Sequence, residues 1–430
     1  MRQRVLLATV GTRGDVQPFL ALAIALRDAG HDVAICTCPR FVPFIAPWGV
    51  ATFPLDEGLL ELLESPLGRL LIGKLDSVWS ALRLLPSVIP RVRPIHERMV
   101  ADTWAATVAW RPDVTVFHPK LFCVPAFASA LGTRAIAAAL APITVPTGER
   151  PFWGMPRLPL GRPYNRATYQ FLRGASSLGT RGYLREWRAT HDPAGRSVGS
   201  APHRMASGDP VPVLHAYSTA VVPRPADWPA SAQVTGYWRM PSTSSDAGHG
   251  NDVLRAFLAS GAPPVYIGFG SMSGVDPAAT TALVVEAVRL AGVRAVFAAG
   301  WGGLQVASLP DTICGVDQVD HDWLFTRVAA VVHHGGAGTT AAGLHAGVPS
   351  VICPFGVDQP FWGRQVMELG AGPAPIAQRR LSAPALAAAI STCLSDPRYG
   401  AAARRIQEVL RREDGTDHAV RAIEASAAGS

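Results

Sequence analysis

Apolar positions along this chain fall into short runs that alternate with amphipathic stretches. Val5–Val10 reads as a buried strand, and Gln17–Ala29 as a helix with Phe19, Leu20, Leu22, Ala23 and Leu26 on its apolar side, closed by Gly30. His31–Cys38 reads as a second strand, followed by a short helix at Phe41–Ala46 and a strand at Val50–Pro54. Residues 56–110 change character: Leu, Trp and Arg recur at helical spacing, which predicts amphipathic helices packed on the first sheet or an apolar surface open to an acceptor or a membrane. Strand–helix–strand grammar returns at Val114–His118, Val124–Leu131 and Ala135–Ala139. The Pro-, Arg- and Gly-rich stretch 142–212 predicts loops and short helices over a substrate.

Prolines at 223, 225, 229 and 241 and the run Ser242–Gly250 predict a linker over 223–252, after which the grammar restarts. Strands are expected at Val265–Gly270, Ala295–Ala299, Ala329–His333 and Ser350–Pro354, with helices at Pro277–Ala291, Thr339–Ala346, Pro360–Leu369 and Pro384–Leu394. The expected division is therefore 1–222, a linker 223–252, and 253–430 with C-terminal helices. Each half is α/β, doubly wound and Rossmann-like. Ligands of such sheets bind beyond the C-terminal strand ends, which places the expected site in a central cleft that the two halves face.

Four strand-end segments carry candidate chemistry. His333-His334-Gly335-Gly336-Ala337-Gly338-Thr339-Thr340 runs from an apolar strand into an apolar helix. Glycines let backbone amides approach an oxygen-rich anion, and a helix N-terminus supplies free N–H groups with partial positive charge. His334 and Thr339 add donors for a diphosphate. Zinc suits the pair of histidines poorly, since neighbours on a strand point to opposite faces. One unit later, Asp358 and Gln359 offer a carboxylate and an amide for vicinal hydroxyls, or a helix cap. In the first half, Gly11-Thr12-Arg13-Gly14-Asp15 follows the first strand without a Gly-x-Gly-x-x-Gly pattern, and Asp15 reads as a base or as a cap. Gly268-Phe269-Gly270-Ser271 forms a further strand-end turn with Ser271 placed to reach a phosphate, and the tract from Val319 to Leu324 precedes the His-Gly strand.

Composition narrows the field. Hydrophobic residues make up 48% and charged residues 17%, enough for large cores. The net charge of +7 is scattered and Arg-dominated, and no nucleic-acid-binding signature accompanies it. Six irregularly spaced cysteines fit buried thiols in a reducing cytoplasm better than disulfides or a metal site. No signal peptide or run of about 18 apolar residues is read.

The His333–Thr340 segment, Asp358-Gln359, the Gly11–Pro18 loop and Gly268–Ser271 together resemble the UDP-glycosyltransferase superfamily, most closely its bacterial antibiotic and sterol glucosyltransferase-like members. The resemblance covers nearly the whole chain and is weakest over 56–110 and 142–222, where acceptor-binding segments vary. It implies a GT-B fold and an inverting, metal-independent transfer with no cofactor beyond the nucleotide-sugar co-substrate. The implied partners are a nucleotide diphosphate sugar and a small hydrophobic acceptor, with peripheral membrane contact in view and the oligomeric state open. By position it implies Ser271, His334, Gly336, Gly338 and Thr339 at the diphosphate, Asp358 and Gln359 at the sugar, and backbone near Val319 at the base. Asp15 stands where many members carry a catalytic histidine, and His118 where they carry the Asp that orients it, which gives a reversed pair. An Asp at about pKa 3.9 cannot fully deprotonate a phenol near 10 beforehand, a cost of roughly 8 kcal/mol, so proton loss should accompany bond formation. A nucleotide-sugar epimerase or hydrolase, and a non-catalytic helper of the same fold, stay open as alternatives.

Overall fold

The computed structural model describes residues 2–65, 68, 78–241, 251–270, 277–298, 309–317 and 319–428. Ser271, the run 242–250 and the apolar residues Leu70, Leu71 and Leu75 lie outside these. The chain divides into two compact units, one made of Met1–Glu61, Leu85–Pro241 and Glu413–Ser430, the other built around Ser242–Arg412.

The first unit holds a parallel sheet of β1 (Arg4–Ala8), β2 (Asp32–Thr37), β3 (Ala51–Pro54), β4 (Val114–Phe117), β5 (Arg134–Ala139), β6 (Val213–His215) and β7 (Ala232–Val234), in the order β3-β2-β1-β4-β5-β6-β7. With it go the helices α1 (Arg13–Asp28) and α2 (Val42–Ile45), the larger part of α3 (Gly58–Glu64) and α4 (Val78–Trp110), of which Leu62–Leu84 count with the second unit, and α5 (Val124–Leu131) and α6 (Gly161–His191). The second unit holds α7 (Asp252–Ala259), β8 (Val265–Gly268), α8 (Pro277–Ala291), β9 (Ala295–Ala298), β10 (Ile313–Val316), α9 (His321–Leu324), β11 (Ala330–His333), α10 (Ala337–Ala346), β12 (Ser350–Ile352), α11 (Gln359–Glu368), α12 (Ala383–Ser395) and α13 (Pro397–Leu410). Its sheet runs β10-β9-β8-β11-β12, all parallel. The final helix, α14 (Gly415–Ala428), belongs to the first unit and packs on α1.

Period-two alternation sends side chains to both faces of these strands, and helices cover both, so the strands read as continuous apolar runs. In the second unit Val265 and Ile267 pack with Val284, Val288, Leu386 and Ile390 on one face. Tyr266, between them in sequence, packs with Val296, Leu324, Phe325 and Val331 on the other. Burying one such valine or leucine side chain is worth about 1.5–3 kcal/mol.

Three boundaries differ from the sequence reading. The expected linker 223–252 contributes β7, an edge strand paired to β6 through Val213 and Ala232. Three residues flanked by prolines suffice for an edge strand, so the segment looks like a tether in sequence. Residues 413–430, expected in the second half, complete the first: Ala419, Val420 and Ile423 of α14 are buried, His31 Nε2 donates to Glu424 Oε1 at 3.1 Å, and Arg134 donates to Ser426 Oγ at 2.6 Å. The stretch 142–212, expected as loops and short helices, contains the 31-residue α6. Gly174, Gly179 and Gly182 meet nothing within 4 Å on the outer side of α6, while Tyr169, Leu184 and Trp187 bury its inner side. Tertiary packing here overrides weak local propensity.

Candidate functional site

In each sheet the strand order reverses at one place. The first unit builds β1, β2 and β3 outward, then returns to lay β4 against β1; the second builds β8, β9 and β10, then lays β11 against β8. Such reversals open a crevice at the C-terminal strand ends, because the flanking connections leave on opposite faces. Asp15 and His118 stand at the first reversal, and Gly270 and His334 at the second.

At the first, α1 begins at Arg13 rather than near Gln17, which brings Asp15 into its first turn. Asp15 Oδ2 accepts the Thr12 backbone N–H at 2.8 Å and the Thr12 hydroxyl at 3.3 Å, so Asp15 does cap the helix. Its other oxygen, Oδ1, faces His118 Nε2 at 3.3 Å and Lys120 Nζ at 3.1 Å. Gly11, at φ +138°, lies flat against this carboxylate, and a Cβ there would run into it and come within 2.8 Å of Lys120 Nζ. His118 is 6% exposed, and its Nδ1 accepts the Lys120 backbone N–H at 3.2 Å, so the neutral ring carries its proton on Nε2 and donates to Asp15. Burial, aided by the Lys120 charge, holds the His118 pKa below the usual histidine value. Burial opposes ionisation of Asp15, but Lys120 and His118 outweigh it and hold its carboxyl well below the ordinary range. No local pattern in the sequence marks Lys120, because its link to Asp15 spans 105 positions.

At the second reversal, β11 ends in His333, whose buried Nδ1 accepts the Gly335 N–H at 3.0 Å and so fixes the turn. Gly335 sits at φ +88°, where a Cβ would lie 2.7 Å from Ile352 Cγ2 and 3.0 Å from the Gln359 carbonyl. The glycine loop therefore abuts the Asp358-Gln359 turn. The His334 ring lies over two more glycines: a Cβ at Gly336 would meet Nε2 at 2.6 Å, and one at Gly270 would meet Cε1 at 3.1 Å. Burial and the neighbouring His321 lower the His334 pKa to about 4, so the ring is neutral at pH 7. Gly336 is the N-cap of α10, and Thr340 N–H is the first to bond back, to Gly336 O at 2.9 Å. The amides of Ala337, Gly338 and Thr339 precede that bond and form the helix mouth. Thr340 spends its hydroxyl on Gly336 O, while Thr339 is half-buried at the mouth and Gly338 is exposed.

Asp358 is the N-cap residue of α11 but makes no side-chain cap; its Oδ2 accepts the Trp362 indole N–H at 2.9 Å. Gln359 is 6% exposed, and its Oε1 accepts the N–H groups of Phe355 at 2.8 Å and Gly356 at 3.2 Å. That leaves the Gln359 amide nitrogen as the end able to donate outward. Val357, before them, holds φ 57° with a β-branched side chain, a strained setting. Val319 and Trp323 pack against the core on the α9 side, and the Arg327 guanidinium stacks on Trp323 at 4.6 Å, which fits a packing role for Trp323. Ser271 falls outside the described residues. Among the described residues no three His, Cys, Asp or Glu gather as a metal site.

Residues 5–94 match the glycosyltransferase family 28 N-terminal domain, and residues 295–424 match the C-terminal domain of erythromycin biosynthesis protein CIII-like proteins. The chain is 34% identical over 433 residues to sterol 3-beta-glucosyltransferase UGT80A2 of Arabidopsis thaliana, covering 98% of this chain and 65% of that protein. It is 34% identical over 436 residues to UGT80B1 of the same plant (98% and 68%), and 32% identical over 429 residues to the sterol 3-beta-glucosyltransferase of Emericella nidulans (96% and 29%). The chain thus spans about two thirds of the plant proteins and under a third of the fungal one. Among solved structures, the glycotransferase of kitacinnamycin superposes with TM-score 0.70 at 20% identity, covering 99% of this chain and 98% of that one. The glycosyltransferase VinC, solved in complex with dTDP, gives TM-score 0.65 at 20% identity, with 99% of each chain covered.

Proposed function

This chain belongs to the UDP-glycosyltransferase superfamily of GT-B fold, and on that premise we propose that it transfers a hexose or deoxyhexose from a nucleotide diphosphate sugar to a hydroxyl of a small hydrophobic acceptor, with inversion and without a metal ion. The observation that carries the reading is the mouth of α10, where glycines at 335 and 336 bare the backbone beneath a neutral His334. The sterol relatives favour glucose and a sterol-like acceptor, while the solved antibiotic-related structures favour dTDP sugars and natural products.

In this reading the acceptor oxygen forms its bond to the anomeric carbon as the bond from that carbon to the β-phosphate oxygen breaks. The departing nucleotide diphosphate keeps the electron pair, and the hydroxyl proton passes to Asp15. His334, the α10 amides and the Thr339 hydroxyl meet the charge that grows on the diphosphate. The Gln359 amide and Asp358 hold sugar hydroxyls, and backbone near Val319 meets the base. His118 orients Asp15 and shares its charge through the 3.3 Å contact. A carboxylate held this far toward ionisation is a weak base, which supports proton transfer concerted with bond formation. A cytoplasmic setting is supported by six free, buried thiols. Peripheral membrane contact is supported by Phe171 and Leu178, exposed seven residues apart on α6 beside Arg181 and Arg185; co-sedimentation with anionic vesicles that persists in Phe171→Asp would remove that support.

The test is product analysis by mass spectrometry with UDP- and dTDP-sugars against sterol and polyketide acceptors, with and without chelator. Wild type should yield a glycoside of inverted anomeric configuration, and Asp15→Asn should lose about 100-fold or more of its turnover. If wild type neither binds nor consumes any nucleotide sugar, the reading fails.

A further inference from the structure

Every acceptor direction of the Asp15 carboxylate is already occupied. Oδ2 takes both donors of Thr12, at 2.8 and 3.3 Å, and Oδ1 takes His118 and Lys120. Gly11 closes the carboxylate's flat face. A carboxylate has about four lone-pair sites, so an incoming hydroxyl has to replace one of these partners. Thr12 N–H is backbone at a helix cap. His118 is buried, with its Nδ1 fixed by the Lys120 backbone. The Lys120 side chain is 41% exposed and, among the described residues, held otherwise only by a 3.4 Å contact to Val10 O. Of the two donors on Oδ1, it is the one that can leave without disturbing a buried group, whereas the Thr12 hydroxyl sits on Oδ2.

We propose that Lys120 is a displaceable counter-ion that occupies, in the free protein, the position on Asp15 Oδ1 taken by the acceptor hydroxyl during transfer. The proposal rests on the reading of Asp15 as the general base and adds a regulation to it. While the ammonium is in place the carboxylate is ionised but poorly basic. An acceptor that pushes it aside withdraws a positive charge and brings apolar surface, and both changes make the carboxylate more basic. The base is thus switched on by the substrate that needs it, and an unoccupied site is kept from abstracting protons unproductively. Other groups around Asp15 do not duplicate this role. Arg13 on the same helix turns to Gln17 Oε1 at 3.0 Å and onto the Phe44 ring. Cys38, beside Gly11, is a thiol pushed up to about 11 by burial and stays neutral. His118 stays neutral through its own burial.

The experiment compares pH profiles of kcat/KM, which report the free enzyme, with those of kcat, which report the complex. Lys120→Met should raise the acid limb of kcat/KM by about 1–3 pH units, the usual effect of removing an opposite charge at this range. The kcat limb should not move, and KM for the acceptor should fall several-fold. Lys120→Arg should restore the wild-type limb. If both limbs rise together, the ammonium stays on Asp15 during turnover and the displacement is wrong. If neither limb moves while activity drops, Lys120 is only structural and the proposal is again wrong. Asp15→Asn separates the two levels: full turnover in that variant overturns the base itself, whereas a dead Asp15→Asn with an unresponsive Lys120→Met overturns only the counter-ion.

Discussion

The Trp362 indole N–H donates to Asp358 Oδ2 at 2.9 Å across one turn of α11. Trp362 is fully buried, so this bond fixes the carboxylate to the core beneath it and leaves Asp358 little freedom of orientation. Trp362→Phe removes the donor and some volume. It should cost about 1–3 kcal/mol of stability and raise the donor KM several-fold with a smaller effect on kcat. An unchanged donor KM, measured where the variant is fully folded, would show that Asp358 does not touch the donor.

Two neighbouring glycines should behave oppositely. At Gly336 an added methyl meets His334 Nε2, so Gly336→Ala has to move the ring off the α10 mouth, with loss of donor affinity of about tenfold for one lost charge-assisted contact. At Gly338 a Cβ meets nothing within 4 Å, and the residue lies in the first turn of α10. Gly338→Ala should gain up to about 1 kcal/mol from helix propensity. Thermal unfolding with and without dTDP or UDP reads both effects, and a destabilised Gly338→Ala contradicts the open space there.

Val357 adopts a left-handed backbone with a β-branched side chain that is 48% exposed. The strain has no compensating burial. Val357→Gly or Val357→Asn should therefore be neutral to stabilising, by about 1 kcal/mol. A clear loss of stability in both variants would mean that the valine makes a contact worth more than its strain.

Asp227 ties three segments of the first unit together. It accepts Thr147 Oγ1 at 2.7 Å, Gly148 N–H at 2.8 Å and Arg166 at 3.0 Å, with Arg162 at 3.5 Å. Burial opposes its charge, but these donors win and lower its pKa to about 2. A carboxyl lower in the folded than in the unfolded state stabilises the fold above its unfolded pKa of about 4 and loses that contribution as pH falls toward 2. The stability difference between wild type and Asp227→Asn should be about 1–2 kcal/mol and flat at neutral pH, and should shrink between pH 4 and 2. Denaturant titrations at stepped pH measure it; a gap that grows on acidification contradicts the assignment.

The sequence made the two sheets legible because parallel strands buried on both faces appear as bare apolar runs, and Val265–Gly268, Ala330–His333 and Ser350–Ile352 stand out as such. The Asp15–His118 pairing was legible from two strand ends that the resemblance places side by side. Lys120 was not, because a side chain arriving from 105 residues away leaves no periodic trace. Nor was the anchoring of Gln359 by the Phe355 and Gly356 amides, which turns one end of its amide inward. Helix α6 was hidden for another reason: glycines and arginines on an exposed face look like loop until the buried Tyr169 and Trp187 opposite them are seen.

The return of α14 to the first sheet gives the N-terminal unit a discontinuous origin. Glu413 accepts from Ser218, His418 reaches the Thr235 carbonyl, and Gly415 presses against Gly236 so closely that neither tolerates a side chain. During synthesis, most of the first unit is therefore made before the second yet is completed only after it. Its unpaired α1 surface waits, exposed to chaperones or to aggregation, until the ribosome has released the entire second unit.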